Sequence, residues 1–295
     1  MRCEFEEKTY EQYHNMELVG KSKIFFPPGQ KQESILGFDS ALFSKNKNFW
    51  KLWRRISWWR DLLWPFWPQV PVGVYLDDIF WEDFREVIDK EIGLKFRFNI
   101  FIQYKRPEYM KSNRAKEFVY WRCPYYRYDI DIHQQKILRQ IEQRFNEQVI
   151  VVYASPAFHT IKQLFDYFCK GKLIENSNYV KPSTLDSHQR WTYTNSGTEG
   201  LAFSEPERKE SIKLMSYINF VKEKIREFKI ESNSQFISKT SSLLVESIRN
   251  TEYISKAFDR IVEQIVLPEH PFGKEVVVIY ICLYLANLKW GIYYE

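Results

Sequence analysis

Cysteine is scarce in this chain and poorly placed for chemistry. Cys3, Cys123, Cys169 and Cys282 stand far apart, with no CxxC pair among them. That spacing argues against a zinc site and against a disulfide framework, and a reducing compartment fits it best. Long apolar runs are missing as well. The most apolar segment, Val276 to Ala286, falls well short of the roughly 20 residues that cross a bilayer. It reads as a buried core element, and no membrane partner is expected. The N-terminal stretch MRCEFEEKTYEQYHNMELVG carries acidic side chains early and has no apolar run ahead of a small-residue cleavage site. It does not read as a signal peptide, so a cytoplasmic protein is the expectation. There is no internal repeat and no low-complexity tract. Nor does one sign of charge dominate: the formal net charge of +5 is a mild basic excess, which permits a polyanionic partner without demanding one.

What is present suffices for a full core. With 295 residues, 44% hydrophobic and 18% aromatic, the chain can fill one large domain or a domain with a substantial appendage. Pro27-Pro28-Gly29 closes a first segment, and QKQESILGFDSALF then starts with helix formers and passes through Gly37 into an apolar run. Glu33 therefore sits near a helix end and Asp39 at the start of the next element. Residues 49 to 67 hold six of the ten tryptophans, mixed with Lys51, Arg54, Arg55 and Arg60. In WEDFREVIDKEIG, Trp81, Phe84, Val87, Ile88 and Ile92 recur at helical spacing, and the acidic residues between them read as a solvated face.

FRFNIFIQYKRP, residues 96 to 107, reads as a strand closed by proline, and it ends in a polar pair. Alternate strand residues share a face, so Gln103 and Lys105 project together with Phe101. An oxygen ligand beside an ammonium suits phosphodiester hydrolysis: the oxygen helps to hold a divalent metal, and the lysine positions or activates water and offsets phosphate charge. Such a metal still needs a carboxylate, which Asp39 could supply, with Glu33 upstream as a further one. Farther on, Asp131 stands three residues ahead of Gln134 as in a capping box, which starts a helix over HQQKILRQIEQRF. VIVVYASP, residues 149 to 156, reads as a strand covered on both faces. Residues 171 to 203 read as loop with short elements, and the texture from Ser204 onward is helical.

Glu33, Gly37-Phe38-Asp39 and Gln103-Tyr104-Lys105 after an apolar strand resemble the PD-(D/E)XK nuclease superfamily, and within it the Mrr-type restriction endonucleases with a Q-x-K motif. The resemblance covers roughly residues 25 to 155. It implies an α/β fold, a restriction-endonuclease-like mixed central sheet flanked by helices. The nuclease-like domain would span 1–203 with a Trp-rich insertion at about 45–80, and an all-helical C-terminal region would span 204–295. It also implies Asp39 as the main metal ligand, Gln103 as a second, Glu33 as the auxiliary acid and Lys105 as the catalytic lysine. Mg2+, or Mn2+, would be the ion. The implied activity is metal-dependent endonucleolytic cleavage of DNA, with a role in restriction or defence against foreign DNA. Gln103 stands where the usual motif has an acid, so the site holds one negative charge fewer. That departure keeps a catalytically inactive nuclease-like DNA-binding or assembly module as the alternative, and a homodimer is left open.

Plainer readings stand beside these. Asp39 could close a turn, Gln103 could bond a neighbour, and Lys105 could be a surface lysine. The Trp-rich segment suits core or subunit packing as well as a nucleic-acid surface, where Arg54 and Arg55 would meet phosphates. Arg106, Lys111 and Arg114 just beyond the motif add charge where a DNA backbone would run, or form a solvated loop. Asp129, Asp131 and His133 would share a face as metal ligands only if the chain there were extended. A Ser/His hydrolase has no G-x-S-x-G elbow to support it.

Overall fold

The apolar run ahead of Gln103 forms a central strand in the computed structural model, which describes residues 1–25, 78–91, 93–225, 232–264 and 267–295. Strands and helices are numbered in chain order. The central sheet holds β1 (Ile24–Phe25), β2 (Phe96–Tyr104), β5 (Val149–Pro156), β6 (Ser177–Val180) and β10 (Lys289–Tyr294), in the order β1-β10-β2-β5-β6. β2 and β5 are parallel and every other pair is antiparallel, so the sheet is mixed.

Parallel neighbours need a crossover. It is supplied by α4 (Ile132–Phe145), whose N-cap is Asp131, as the sequence pattern predicts. The Asp131 carboxylate accepts from the Gln134 N–H at 2.9 Å. Only half of the capping box forms, because the Gln134 side chain turns elsewhere.

The period-2 alternation of β2 divides the core in two. Phe98, Ile100, Ile102 and Tyr104 pack with α1 (Glu7–Lys21), α5 (Ile161–Cys169) and α6 (Leu214–Ile225). On the opposite face, Phe101 packs with α4, α7 (Asn233–Arg249) and α9 (Pro271–Ala286), joined by Trp81 of α2 (Asp78–Glu86) and Phe258 of α8 (Glu252–Gln264). The apolar segment 276–286 lies within α9 and is largely buried, as expected. Fully burying each large apolar side chain contributes about 1.5–3 kcal/mol. Glu82, Asp83 and Glu86 of α2 are exposed, as expected of a solvated face, and Asp89 beyond it, also exposed, accepts from the backbone and hydroxyl of Ser234 at the start of α7.

A second, antiparallel sheet holds β3 (Glu108–Met110), β4 (Tyr125–Asp129), β7 (Arg190–Tyr193), β8 (Glu199–Phe203) and β9 (Glu207–Glu210), in that order. The short helix α3 (Phe118–Trp121) lies between β3 and β4. The short elements expected within 171–203 are strands: β6, β7 and β8, separated by loop and a 3-10 turn. The reason is pairing: these four- and five-residue strands carry polar residues whose groups are satisfied inside, as where Trp191 Nε1 donates to Asn178 Oδ1 at 2.9 Å. Tyr193 hydroxyl donates to Ser155 Oγ at 2.7 Å and joins the second sheet to the end of β5.

The C-terminal region differs from the all-helical expectation. Among the described residues it holds four helices, but it also supplies β9 and, through β10, a strand between β1 and β2. KWGIYY alternates into both cores, with Trp290 and Ile292 on one face and Tyr293 on the other, which suits a strand buried on both sides. Glu33, Asp39, Arg54, Arg55 and the Trp-rich segment lie outside the described residues.

Candidate active site at the end of β2

β2 carries Gln103 and Lys105 to the edge of the core, on the face that meets α4. Gln103 pairs across the sheet with Tyr153 of β5 and is 1% exposed. Its Nε2 reaches only the Tyr104 carbonyl, at 3.5 Å, and its Oε1 is buried without a hydrogen-bond partner among the described residues. A buried acceptor left unsatisfied costs about 1–3 kcal/mol. The expectation that Gln103 bonds a neighbour is thus met on the nitrogen side alone.

Lys105 is half-buried and does not behave as a surface lysine. Its ammonium donates to Gln134 Oε1 at 3.0 Å and lies 5.7 Å from the centre of the Tyr153 ring. Burial lowers its pKa, against the charges of Glu7, Asp131 and Asp129, which favour the ammonium. Glu7, at the start of α1, is the charge that favours the Lys105 ammonium most. Burial raises the Glu7 pKa, opposed by the Lys105 charge and by the Arg106 N–H, which donates to Glu7 Oε2 at 3.2 Å. The second amide group of Gln134 donates to the Ala286 carbonyl at 3.1 Å, which fixes the side chain that holds Lys105.

Sequence reasoning assigned no role to Glu7 and read Gln134 as a cap. No local pattern could have shown either interaction, because the fold brings both residues in from other elements.

The remaining expected residues are placed as follows. Arg106 turns back to the N-terminus, where its guanidinium donates to Glu6 at 2.7 Å and to the Cys3 carbonyl. Lys111 and Arg114 are exposed between β3 and α3, and the Lys111 ammonium lies over the Tyr109 ring. Asp129, Asp131 and His133 do not form a common face, because α4 starts at Ile132; Asp129 instead pairs with Arg190 at 2.6 Å. Among the described residues no group of three or more His, Cys, Asp or Glu side chains could hold a metal ion.

The fit to a divalent ion therefore rests on Gln103 Oε1, a hard oxygen without a donor, and on acids outside the described residues. Around Lys105 the described carboxylates are engaged: Glu7 by the Arg106 N–H, Asp131 by its cap and Asp129 by Arg190.

A second charged cluster closes on itself. The Glu117 carboxylate, 2% exposed, takes hydrogen bonds from Tyr125, Arg127 and Arg190. Burial works to raise its pKa, and the bonds from Tyr125 and Arg190 with the charge of Arg127 outweigh it, so the carboxyl stays below its ordinary range. With every partner satisfied inside the second sheet, the cluster is structural.

Among the described residues no helix is long and apolar enough to cross a membrane. Comparison with models of protein families, with curated proteins and with solved structures finds no significant match to this chain.

Proposed function

We propose that the chain is a metal-dependent endonuclease that hydrolyses DNA phosphodiester bonds, on a restriction-endonuclease-like arrangement of β2, α4 and β5. The observation that carries this reading is the conjunction at the end of β2: a buried amide oxygen without a donor, and two residues on, a lysine held at fixed position by Gln134. An isolated structural lysine needs no such neighbour. Mg2+ or Mn2+ would take Gln103 Oε1 as a ligand, with Asp39 and Glu33 as the acids, and when bound would supply Lewis-acid polarisation of a phosphoryl oxygen. Lys105 sits in a partly desolvated position, where an ammonium offsets charge developing on the phosphate more strongly than in water. Restriction of foreign DNA is the role that this reading extends to.

A specific observation favours the second reading, a nuclease-like DNA-binding or assembly module that no longer cuts: the described carboxylates around Lys105 are all engaged. Cleavage of plasmid and single-stranded DNA with Mg2+ or Mn2+ decides between them. Wild type should cut in a metal-dependent way, and Asp39→Ala, Lys105→Ala and Gln103→Met should each reduce cutting by at least about a hundredfold, the scale of one lost electrostatic group. Gln103→Met removes the orphaned oxygen without a cavity, so it should fold at least as stably as wild type. Folded variants that cut like wild type, or a wild type that does not cut, would move the assignment to the binding module.

A further inference from the structure

A groove of about 600 Å³ lies between α4, the loop after the 3-10 turn Pro182–Leu185, and the α7–α8 junction at Asn250 and Thr251. That volume falls in the range of roughly 300–1,000 Å³ typical of small-molecule sites. Its lining is rich in amides. Gln135 is committed to the Tyr153 hydroxyl and the Pro182 carbonyl, and Gln140 Oε1 to Asn250. Gln143 and Gln189 have no side-chain hydrogen bond among the described residues and line the groove with both donor and acceptor free.

Charge lines the groove, and an aromatic ring stands just outside the lining. Arg139 is held by Glu142 and Asp186, at 2.7 and 2.8 Å, whereas Lys136 makes no ion pair among the described residues. The groove therefore offers an uncompensated cation. At the start of α8, Tyr253 is 72% exposed, and its ring faces that of His133, one residue beyond Ile132 of the lining, at 6.2 Å between centres. An exposed aromatic ring, free amides and a cation are the groups that stack a base, bond its edge and meet its phosphate.

The groove and the candidate active site share the first turn of α4. Gln134 holds Lys105, and Ile132 and Gln135 line the groove from other faces of that turn. We propose that this groove holds an unpaired nucleotide of a DNA strand whose backbone crosses the first turn of α4, which gives the protein a preference for single-stranded DNA. The inference rests on the nucleic-acid reading above and names its substrate class. A neutral oligosaccharide would use the same amides and ring, but it leaves the Lys136 charge without a partner.

The test is fluorescence anisotropy of a short fluorescein-labelled oligothymidine, and of a duplex of equal length, in EDTA so that cleavage plays no part. Wild type should bind the single strand more tightly than the duplex. Tyr253→Ala should weaken that binding about tenfold, as loss of one stacked base does, and Gln143→Ala should weaken it too. Tyr253 is exposed, so the variant keeps its fold. Equal binding by wild type and both variants, tighter binding of duplex, or displacement of the oligomer by maltohexaose would overturn the proposal. Metal-dependent cutting lost in Lys105→Ala, with binding indifferent to Tyr253→Ala, would refute the groove and leave the nuclease standing. Groove-dependent binding by a wild type that does not cut would do the reverse.

Discussion

His14 is fully buried between two tyrosines, with Nδ1 2.8 Å from the Tyr104 hydroxyl and Nε2 2.6 Å from that of Tyr179. Tyr104 donates in turn to Asn15 Oδ1, so a neutral ring protonated on Nδ1 satisfies the chain of bonds. Burial pushes the His14 pKa down from 6.5 to about 3. Because the folded pKa lies below the unfolded one, the unfolded chain binds the extra proton between those values. The His14 contribution is therefore complete above about pH 6.5 and fades as pH falls, by up to about 1.4 kcal/mol per pH unit. Urea unfolding from pH 7 to pH 5 should show this loss in wild type and a shallower one in His14→Gln; identical slopes would rule out the assignment. Nothing in the sequence around His14 marks it, since EQYHNMEL reads as an ordinary helix face. Gln103 and Lys105 were legible because a strand has a period of two and the polar pair broke an apolar pattern. Their partners were not, because Glu7 and Gln134 are neighbours in space alone.

Gly273, in the first turn of α9, shows how closely the elements meet. A Cβ there would lie 2.5 Å from the Trp81 indole, which is itself 2% exposed in the joint between α2 and α9. Both partners are fixed, so Gly273→Ala should destabilise the fold by about 1–3 kcal/mol despite the better helix propensity of alanine. Urea denaturation measures it, and an unchanged midpoint would mean that the joint can open. Elements with a strong period were readable in the same terms. α4 announced itself through Asp131 and its apolar stripe, and β5 through an unbroken apolar run ended by Pro156. The second sheet was hidden, because strands such as Arg190–Tyr193 are too short for alternation to stand out and their bonding partners lie in other strands. SEPERKESIKLM reads as the start of a long helical pattern, yet Glu207–Glu210 forms an edge strand and the helix begins only at Leu214.

The whole molecule is tied together by β10. It bonds to β1 on one side and β2 on the other, and Glu295 beyond it pairs with Arg97 at 2.6 Å. Removing residues 287–295 would strip the bonding partners from two strands at once, and buried backbone groups cannot stay unpaired. The truncated chain should show no cooperative thermal transition in circular dichroism, where deletion of a dispensable tail would keep one. The α/β character and the flanking helices were readable from local pattern, but strand order depends on pairing between residues far apart in sequence.

That placement also sets a timetable for biosynthesis. β10 is translated after every other strand of its sheet, so the nascent chain carries β1 and β2 with bare edges until Lys289–Tyr294 leave the ribosome. Until then the nascent chain is exposed to edge-to-edge aggregation, and a chaperone that shields strand edges would raise its soluble yield without touching the finished fold.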